Sequence, residues 1–153
     1  MNEPDKAPAF ILARAGFDVW MGNNRGSYYS EEHVKWSIKD KEYWEFDFEE
    51  MGLHDLPAFI DFILITSGAR NLTYIGHSQG TTQFFVGASL MSEYFQNKVN
   101  LFVALAPIVR MDHIKNEFLI KTAFIPTKLL QTVFEGLHFY NVMPRTKISG
   151  VEG

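Results

Sequence analysis

The pentapeptide Gly76-His77-Ser78-Gln79-Gly80 holds the residues of this sequence that are best suited to chemistry. A serine hydroxyl attacks a carbonyl carbon only when it stands clear of the backbone, and a sharp turn between a strand and a helix presents it in that way. We expect this close approach to leave no room for side chains at Gly76 and Gly80. The N–H of Gln79 then points to where the oxyanion of a tetrahedral intermediate forms. The pattern predicts Ser78 as a nucleophile and Gln79 as one oxyanion donor.

The residues around the pentapeptide have the patterns of a strand, a helix and a second strand. Leu72 to Ile75 is a short strand-like run, and Gln79 to about Met91 reads as a helix. The small residues Gly87 and Ala88, like the second glycine of the pentapeptide, are expected to let this helix approach the sheet closely. Leu101 to Ala106 is a continuous apolar run, which is typical of a parallel strand covered on both faces. This order of elements predicts a right-handed crossover and a parallel sheet.

The sequence before residue 55 predicts another helix and strand, followed by a long excursion. Ala7 to Ala15 indicates a short helix that Gly16 ends, and Phe17 to Met21 alternates enough for a strand. Residues 27–54 are polar and aromatic by turns. That composition predicts a surface segment anchored by its aromatic rings.

The segment from Asp55 to Gly68 is the clearest helix in the sequence. Asp55 fits an N-cap, Pro57 lies in the first turn, and apolar residues recur at helical spacing up to Gly68. The chain therefore alternates helices and strands as α/β proteins do.

Composition limits the classes of partner and cofactor. The 153 residues are 46% hydrophobic, which suits one domain with a substantial core. The formal charge is −4 and the 14 Lys and Arg residues are scattered, so we expect no nucleic-acid partner. The sequence contains no run of about 18 apolar residues, so we predict no transmembrane segment within it. The absence of cysteine, of metal-ligand spacings and of nucleotide-binding glycine motifs predicts no disulfide, metal or cofactor within this span.

The pattern changes after Pro107, where strand-like runs end and a strongly apolar, helical region follows. We interpret residues 1–107 as a partial α/β core and residues 108–153 as the start of a helical cap or lid. Around Phe118 to Tyr140 the cap is expected to pack over the carboxyl ends of the strands, near Ser78. Ordinary packing among helices produces the same apolar stripe, so a lipid-facing role for the cap stays open.

Several ordered motifs resemble the acid lipase family of α/β-hydrolases, the group that includes gastric and lysosomal acid lipases. In chain order they are Phe17 to Trp20 with Gly22-Asn23-x-Arg25-Gly26, Tyr43-Trp44-x-Phe46, Glu50-Met51, Asp55 to Ala58 with Ile60 to Ile63, Tyr74 to Thr81, and Ala104 to Pro107. Asn24 stands where that family is expected to have serine. The resemblance covers most of the chain.

The resemblance implies an incomplete α/β-hydrolase fold: a parallel sheet core with a nucleophile elbow, followed by a helical cap region. It also implies hydrolysis of carboxylic esters, typically acylglycerols or sterol esters, through an acyl-enzyme on Ser78, and a secreted or lysosomal protein. In that family a His-Gly motif upstream supplies the second oxyanion donor, and the catalytic acid and histidine follow the cap. Only residues 79–153 follow Ser78. We therefore expect this chain to be an internal piece of a longer hydrolase.

The histidines within the span do not suit the role of general base. His77 neighbours the nucleophile, where the turn aims adjacent side chains apart, so packing beside the substrate fits it better. His54 precedes the expected helix cap, His33 lies in the polar excursion, and His113 and His138 lie in the cap region. Each is interpreted as a structural or solvated histidine.

The acids give no better partner for a catalytic base. Asp47, Asp55 and Asp112 are the candidates, and Asp55 is better explained as a helix cap. Asp112 stands beside His113, but adjacent residues rarely face each other in a helix. Arg25 is expected to hold its turn or to pair with a nearby acid.

Three functional hypotheses follow from the sequence. The first is a lipase-like serine ester hydrolase of which this chain holds the central core and the start of the cap. The second is a non-catalytic fragment or pseudoenzyme that keeps the fold and binds an apolar ligand. The third is an acyltransferase or thioesterase on the same scaffold, which differs only in its acceptor or ester. A histidine and an acid encoded after residue 153 would favour the first over the second.

Overall fold

The structure is a computed structural model that describes residue 3 and residues 5–110, 115–117, 120–121 and 124–137. Its helices in these residues are α1 (Pro8–Arg14), α2 (Phe48–Glu50), α3 (Leu56–Ser67), α4 (Gln79–Leu90), α5 (Ser92–Lys98) and α6 (Thr127–Gly136). Its strands are β1 (Leu72–His77) and β2 (Val99–Leu105). A 3-10 turn spans Lys41–Trp44 and a π-helical turn spans Met51–Asp55.

The two strands pair in parallel, as the order of elements predicts. Tyr74 lies opposite Phe102 and Gly76 opposite Ala104, and α4 and α5 form the crossover between the strands. The sequence pattern predicts a helix at α4 but no separate α5, and it predicts that the second strand starts at Leu101 rather than Val99. The fold is thus a small parallel sheet with helices, as expected for a partial α/β core.

The hydrophobic core lies on one face of this sheet. Leu56 and Ile60 of α3 are buried together with Phe84 and Phe95. The ring of Phe84 stacks on Phe102 of β2, with 4.0 Å between ring centroids. This cluster fixes α4 and α5 against the strands, because buried aromatic rings contribute large apolar areas.

The opposite face of the sheet is open in the described part of the chain. Ile75, Leu101 and Leu105 are exposed on it, alternating with residues that face the core. The expectation of a second strand covered on both faces is therefore wrong for the described residues, because α3, α4 and α5 all pack against the face that carries Tyr74 and Phe102.

The helix before β1 begins earlier than its sequence pattern suggests. Asp47 and Glu50 form a capping box, and helical backbone then continues from residue 48 to Ser67 through the π-helical turn. Asp55 lies inside this helix and caps nothing, so its interpretation as an N-cap is wrong. Gly68 ends the helix in the left-handed conformation, with φ 70°, as expected.

The segment from Phe17 to Met21 is not a strand. It follows α1, which confirms the predicted short helix, but it pairs with neither strand of the described sheet. It packs on α3 instead: the ring of Trp20 meets Phe62 edge-on at 5.8 Å, and a Cβ on Gly22 would lie 2.8 Å from the ring of Phe59. Alternation of side chains indicates an extended backbone, whereas a strand also needs a partner.

Aromatic rings anchor the excursion over residues 27–54, as its composition predicts. Tyr43 is buried, and its ring contacts His33 and Trp44 edge-on. The hydroxyl of Tyr43 donates to the carbonyl of Ser30 at 3.3 Å, and Trp44 Nε1 donates to the carbonyl of Ile38 at 2.8 Å. The segment therefore has fixed internal contacts.

The predicted cap lies partly outside the described residues, which include α6 but not Phe118 or residues 138–140. Glu135 of α6 pairs with Lys41 of the 3-10 turn at 2.9 Å. The assignment of residues 108–153 to a cap stays a prediction. Among the described residues, no helix has the length and apolar character needed to cross a membrane.

Candidate active site

Ser78 occupies a strained turn between β1 and α4. Its backbone has φ 51° and ψ −115°, outside the regions that L residues favour. Such a conformation costs about 1–3 kcal/mol and persists only where the surroundings impose it. The backbone therefore has the strand, sharp turn and helix that a nucleophile elbow requires, and the role of Ser78 as nucleophile stays a prediction.

The glycines of the elbow differ in how closely they are packed. A Cβ on Gly76 would lie 2.7 Å from the carbonyl oxygen of Gly80 and 3.0 Å from the amide of Thr81, so only glycine fits there. A Cβ on Gly80 would meet the hydroxyl of Tyr74 at 3.6 Å, which is an ordinary contact. The expectation that a side chain has no room is therefore confirmed for Gly76 and wrong for Gly80. At Gly80 it is the backbone carbonyl that approaches Gly76 closely, and a Cβ would have space.

A chain of hydrogen-bonded polar side chains holds the backbone of the turn at Gly80, and the sequence pattern did not indicate it. The hydroxyl of Tyr74 donates to the carbonyl of Gly80 at 2.9 Å and accepts from Gln83 Nε2 at 3.0 Å. Gln83, only 4% exposed, accepts from Asn24 Nδ2 at 2.6 Å. Burial raises the pKa of Tyr74, so its phenol stays protonated and able to donate. The signal available in the sequence was a glutamine directly before Phe84 and Phe85 in a helix expected to pack on the sheet.

The backbone of Gln79 suits an oxyanion donor. Gln79 is the first residue of α4, and the N–H groups of a first helical turn have no partner within the helix. Its side chain donates to Sδ of Met51 at 3.2 Å. His77 is exposed and alternates onto the open face of the sheet. Its role beside the substrate stays a prediction.

None of the histidines in the described residues forms a hydrogen bond with Ser78. Nδ1 of His33 accepts from the amides of Lys35 at 3.1 Å and Trp36 at 2.9 Å. His54 is exposed on its helix. His113 and His138 lie outside the described residues.

The two candidate acids within the described residues, Asp47 and Asp55, make their hydrogen bonds away from Ser78. Asp47 accepts from the amide of Glu49 at 2.7 Å within the capping box. Asp55, 9% exposed, accepts from the guanidinium of Arg25 at 2.8 Å and from the amide of Arg25 at 3.0 Å. The expected structural pairing of Arg25 is confirmed. Asp112 lies outside the described residues, and within them no three His, Asp or Glu side chains are grouped to hold a metal ion.

Comparison with known proteins shows the family to which this chain belongs. The family profile described as alpha/beta hydrolase fold matches residues 9–144. Gastric triacylglycerol lipase of Bos taurus is 42% identical over 151 residues, 99% of this chain and 38% of the lipase. Lipase member M of Homo sapiens is 44% identical over 87% of this chain and 31% of its own length. Human gastric triacylglycerol lipase is 40% identical over 91% of this chain and 34% of its own length.

The chain spans about a third of the length of the curated relatives it matches. The family match covers far more than half of the chain, and it includes both strands and the turn between β1 and α4. This chain belongs to the alpha/beta hydrolase fold family and is similar, over most of its residues, to the acid lipases within it.

Proposed function

We propose that the protein of which this chain is part is a lipase-like serine ester hydrolase with Ser78 as its nucleophile. The conformation of Ser78, with φ 51° and ψ −115° between β1 and α4, carries this proposal. A strained serine at the carboxyl end of a parallel strand suits attack on a carbonyl carbon. The lipase relatives support the same reaction class.

The reaction is acyl transfer in two steps. Ser78 Oγ attacks the ester carbonyl while a histidine takes its proton, and the N–H of Gln79 stabilises the oxyanion. The bond to the alcohol then breaks as the histidine protonates the leaving oxygen. Water releases the fatty acid from the acyl-enzyme. We expect the histidine, its orienting acid and the second oxyanion donor to lie outside this 153-residue span.

The proposed substrates are fatty-acid esters of glycerol or of sterols. Two of the relatives above are named triacylglycerol lipases, which supports acylglycerols. The aqueous phase holds little of such esters, so catalysis requires contact with a lipid surface or droplet.

The cap is proposed to make that contact transiently through α6. Leu129 and Val133 of α6, and Leu137 directly after it, are exposed at helical spacing. Val133→Lys should therefore slow hydrolysis of an emulsified triacylglycerol but not of a dissolved short-chain ester. Thr132→Lys, at an exposed polar position of the same helix, is the matched control. Equal loss in both variants, or loss on the dissolved ester, would contradict lipid contact through this face.

The decisive test uses the natural full-length gene product. A fluorophosphonate probe should label Ser78, and Ser78→Ala should abolish both labelling and turnover of a nitrophenyl ester. Label that survives Ser78→Ala would refute the proposed nucleophile. The isolated 153-residue chain should be slower by about 10³-fold or more, because its serine lacks a base.

Turnover by the isolated chain, binding of an apolar ligand and transfer to an added alcohol separate the proposal from its alternatives. Ser78-dependent turnover by the isolated chain would mean that a histidine within the span acts as base, and the interpretation as an inactive fragment would be wrong. A full-length product that binds an apolar ligand without turnover would be a pseudoenzyme. Transfer of the acyl group to an added alcohol in preference to water would indicate an acyltransferase.

A further inference from the structure

Thr81, in the first turn of α4, is fully buried and makes hydrogen bonds that the proposed acyl transfer does not use. Its hydroxyl donates to the carbonyl oxygen of Ser78 at 2.6 Å and accepts from the amide of Ile108 at 3.0 Å. Its own amide donates to the same carbonyl of Ser78 at 2.9 Å. A carbonyl oxygen has two lone pairs, and Thr81 supplies a donor for each.

The carbonyl that Thr81 holds belongs to the peptide unit that carries the N–H of Gln79. A trans peptide unit is planar, so its carbonyl and its N–H point in opposite directions. Fixing the carbonyl of Ser78 therefore fixes the direction of the Gln79 N–H. The Thr81 hydroxyl thus holds the side of the peptide unit opposite to the N–H that is proposed to bind the oxyanion.

The same hydroxyl reaches the chain that leaves β2. The amide of Ser78 donates to the carbonyl of Leu105 at 3.0 Å, and Ala106 has φ 48°. Ser78 and Ala106 are the non-glycine residues with positive φ among those described. Thr81 therefore links the strained Ser78 to Ile108, which lies two residues after the strained Ala106 and is the first residue of the predicted cap.

We propose that Thr81 is a positioning residue that orients the Gln79 N–H as oxyanion donor and ties the elbow to the chain leading into the cap. The proposal builds on the acyl transfer proposed for Ser78. Without the hydroxyl, the Ser78–Gln79 peptide unit keeps a single donor on its carbonyl and can rotate. The Ile108 amide would also lose its partner.

Neighbouring Thr82 provides a matched control. Its hydroxyl donates to the carbonyl of Ile108 at 3.0 Å, so it contacts the same loop but not the Ser78–Gln79 peptide unit. Thr82→Val and Thr81→Val each replace a threonine by an isosteric residue without a hydroxyl. Thr81→Ser keeps the hydroxyl and loses only a methyl group.

The kinetic test uses the full-length gene product on a soluble ester. Thr81→Val should lower kcat by about 10- to 100-fold with KM within about twofold, since oxyanion stabilisation acts in the transition state. Thr81→Ser and Thr82→Val should stay within about threefold of the wild type. Unchanged kcat in Thr81→Val, or an equal fall in Thr82→Val, would overturn the proposal.

A second measurement does not depend on activity. Hydrogen exchange at the Ile108 amide, measured in the same proteins, should accelerate by about tenfold in Thr81→Val and return towards wild type in Thr81→Ser. Unchanged exchange refutes the proposed link. If no Ser78-dependent turnover exists, the proposed function and the oxyanion role of Thr81 both fail, and exchange decides only whether Thr81 ties the turn to Ile108. If Thr81→Val does not fold, Thr81→Ala and Thr81→Ser give the same comparison.

Discussion

Gly52 and Gly87 pack backbone to backbone where the π-helical turn crosses α4. A Cβ on Gly87 would lie 2.7 Å from the carbonyl oxygen of Gly52, and a Cβ on Gly52 would lie 2.8 Å from the amide nitrogen of Gly87. The ring of Phe95 also lies 2.9 Å from a Cβ on Gly87. Gly87 therefore allows the π-helical turn and α5 to approach α4 closely. The sequence pattern predicts instead that this glycine allows α4 to approach the sheet.

Alanine at either glycine should destabilise the fold. Backbone atoms cannot move aside as flexible side chains do, so we expect Gly52→Ala and Gly87→Ala each to lower the unfolding free energy by about 1–3 kcal/mol. Urea unfolding measures the change. A Cβ on Gly136 of α6 would meet no such atom within 4 Å, so Gly136→Ala should be neutral or stabilising by up to about 1 kcal/mol. Equal effects at all three positions would contradict the close crossing.

Glycine at the nucleophile position should relieve strain. Ser78 has φ 51° and ψ −115°, a conformation that glycine adopts at low cost. Among variants without a nucleophile, we expect Ser78→Gly to be more stable than Ser78→Ala by about 1 kcal/mol, even after the entropy of glycine in the unfolded chain. The same pair at Ser89, in the last turn of α4, should favour alanine by up to about 1 kcal/mol. Urea unfolding measures both differences. If Ser78→Ala were as stable as Ser78→Gly or more stable, backbone strain at position 78 would be contradicted.

Loss of the Asp55 carboxylate should destabilise the π-helical turn that leads into α3. Asp55→Ala leaves the guanidinium and the amide of Arg25 without their acceptor, and we expect a cost of about 2 kcal/mol. The ion pair between Glu117 and Lys121, at 3.1 Å, is largely exposed. Glu117→Ala should therefore cost less than about 0.5 kcal/mol. Thermal unfolding of both variants provides the comparison, and a larger loss at Glu117 would contradict it.

Acid should weaken the contact between α3 and α5. Asp61 accepts from Lys98 Nζ at 2.5 Å and from the hydroxyl of Tyr94 at 2.6 Å, and these bonds lower its pKa below the ordinary 3.8. A lowered folded pKa stabilises the fold above the ordinary value, and this contribution disappears as the pH falls through the folded pKa.

The unfolding free energies of the wild type and Asp61→Asn should therefore differ most above about pH 5 and converge towards about pH 2. Urea unfolding across this range checks the direction. In Tyr94→Phe, which retains the ring, the same substitution at position 61 should have a smaller effect. A gap that widens on acidification would contradict the assignment.

The sequence by itself determined the local structure of the elbow and the order of elements around it. Ser78 and Gly76 could be identified because their neighbours within a few residues specify a strand, a turn and a helix. The helix ending at Gly68 and the parallel pairing of β1 with β2 follow from short-range patterns for the same reason.

Only the tertiary structure decided which distant residues meet. Asp55 has the sequence pattern of a cap, but it lies within a continuous helix and binds Arg25, 30 residues away in the chain. Phe17 to Met21 alternates like a strand, but in the described structure it packs on α3. Thr81 and Ile108 meet because β2 returns beside β1. Local patterns encode backbone conformation, whereas a side chain finds its partner only after the elements pack.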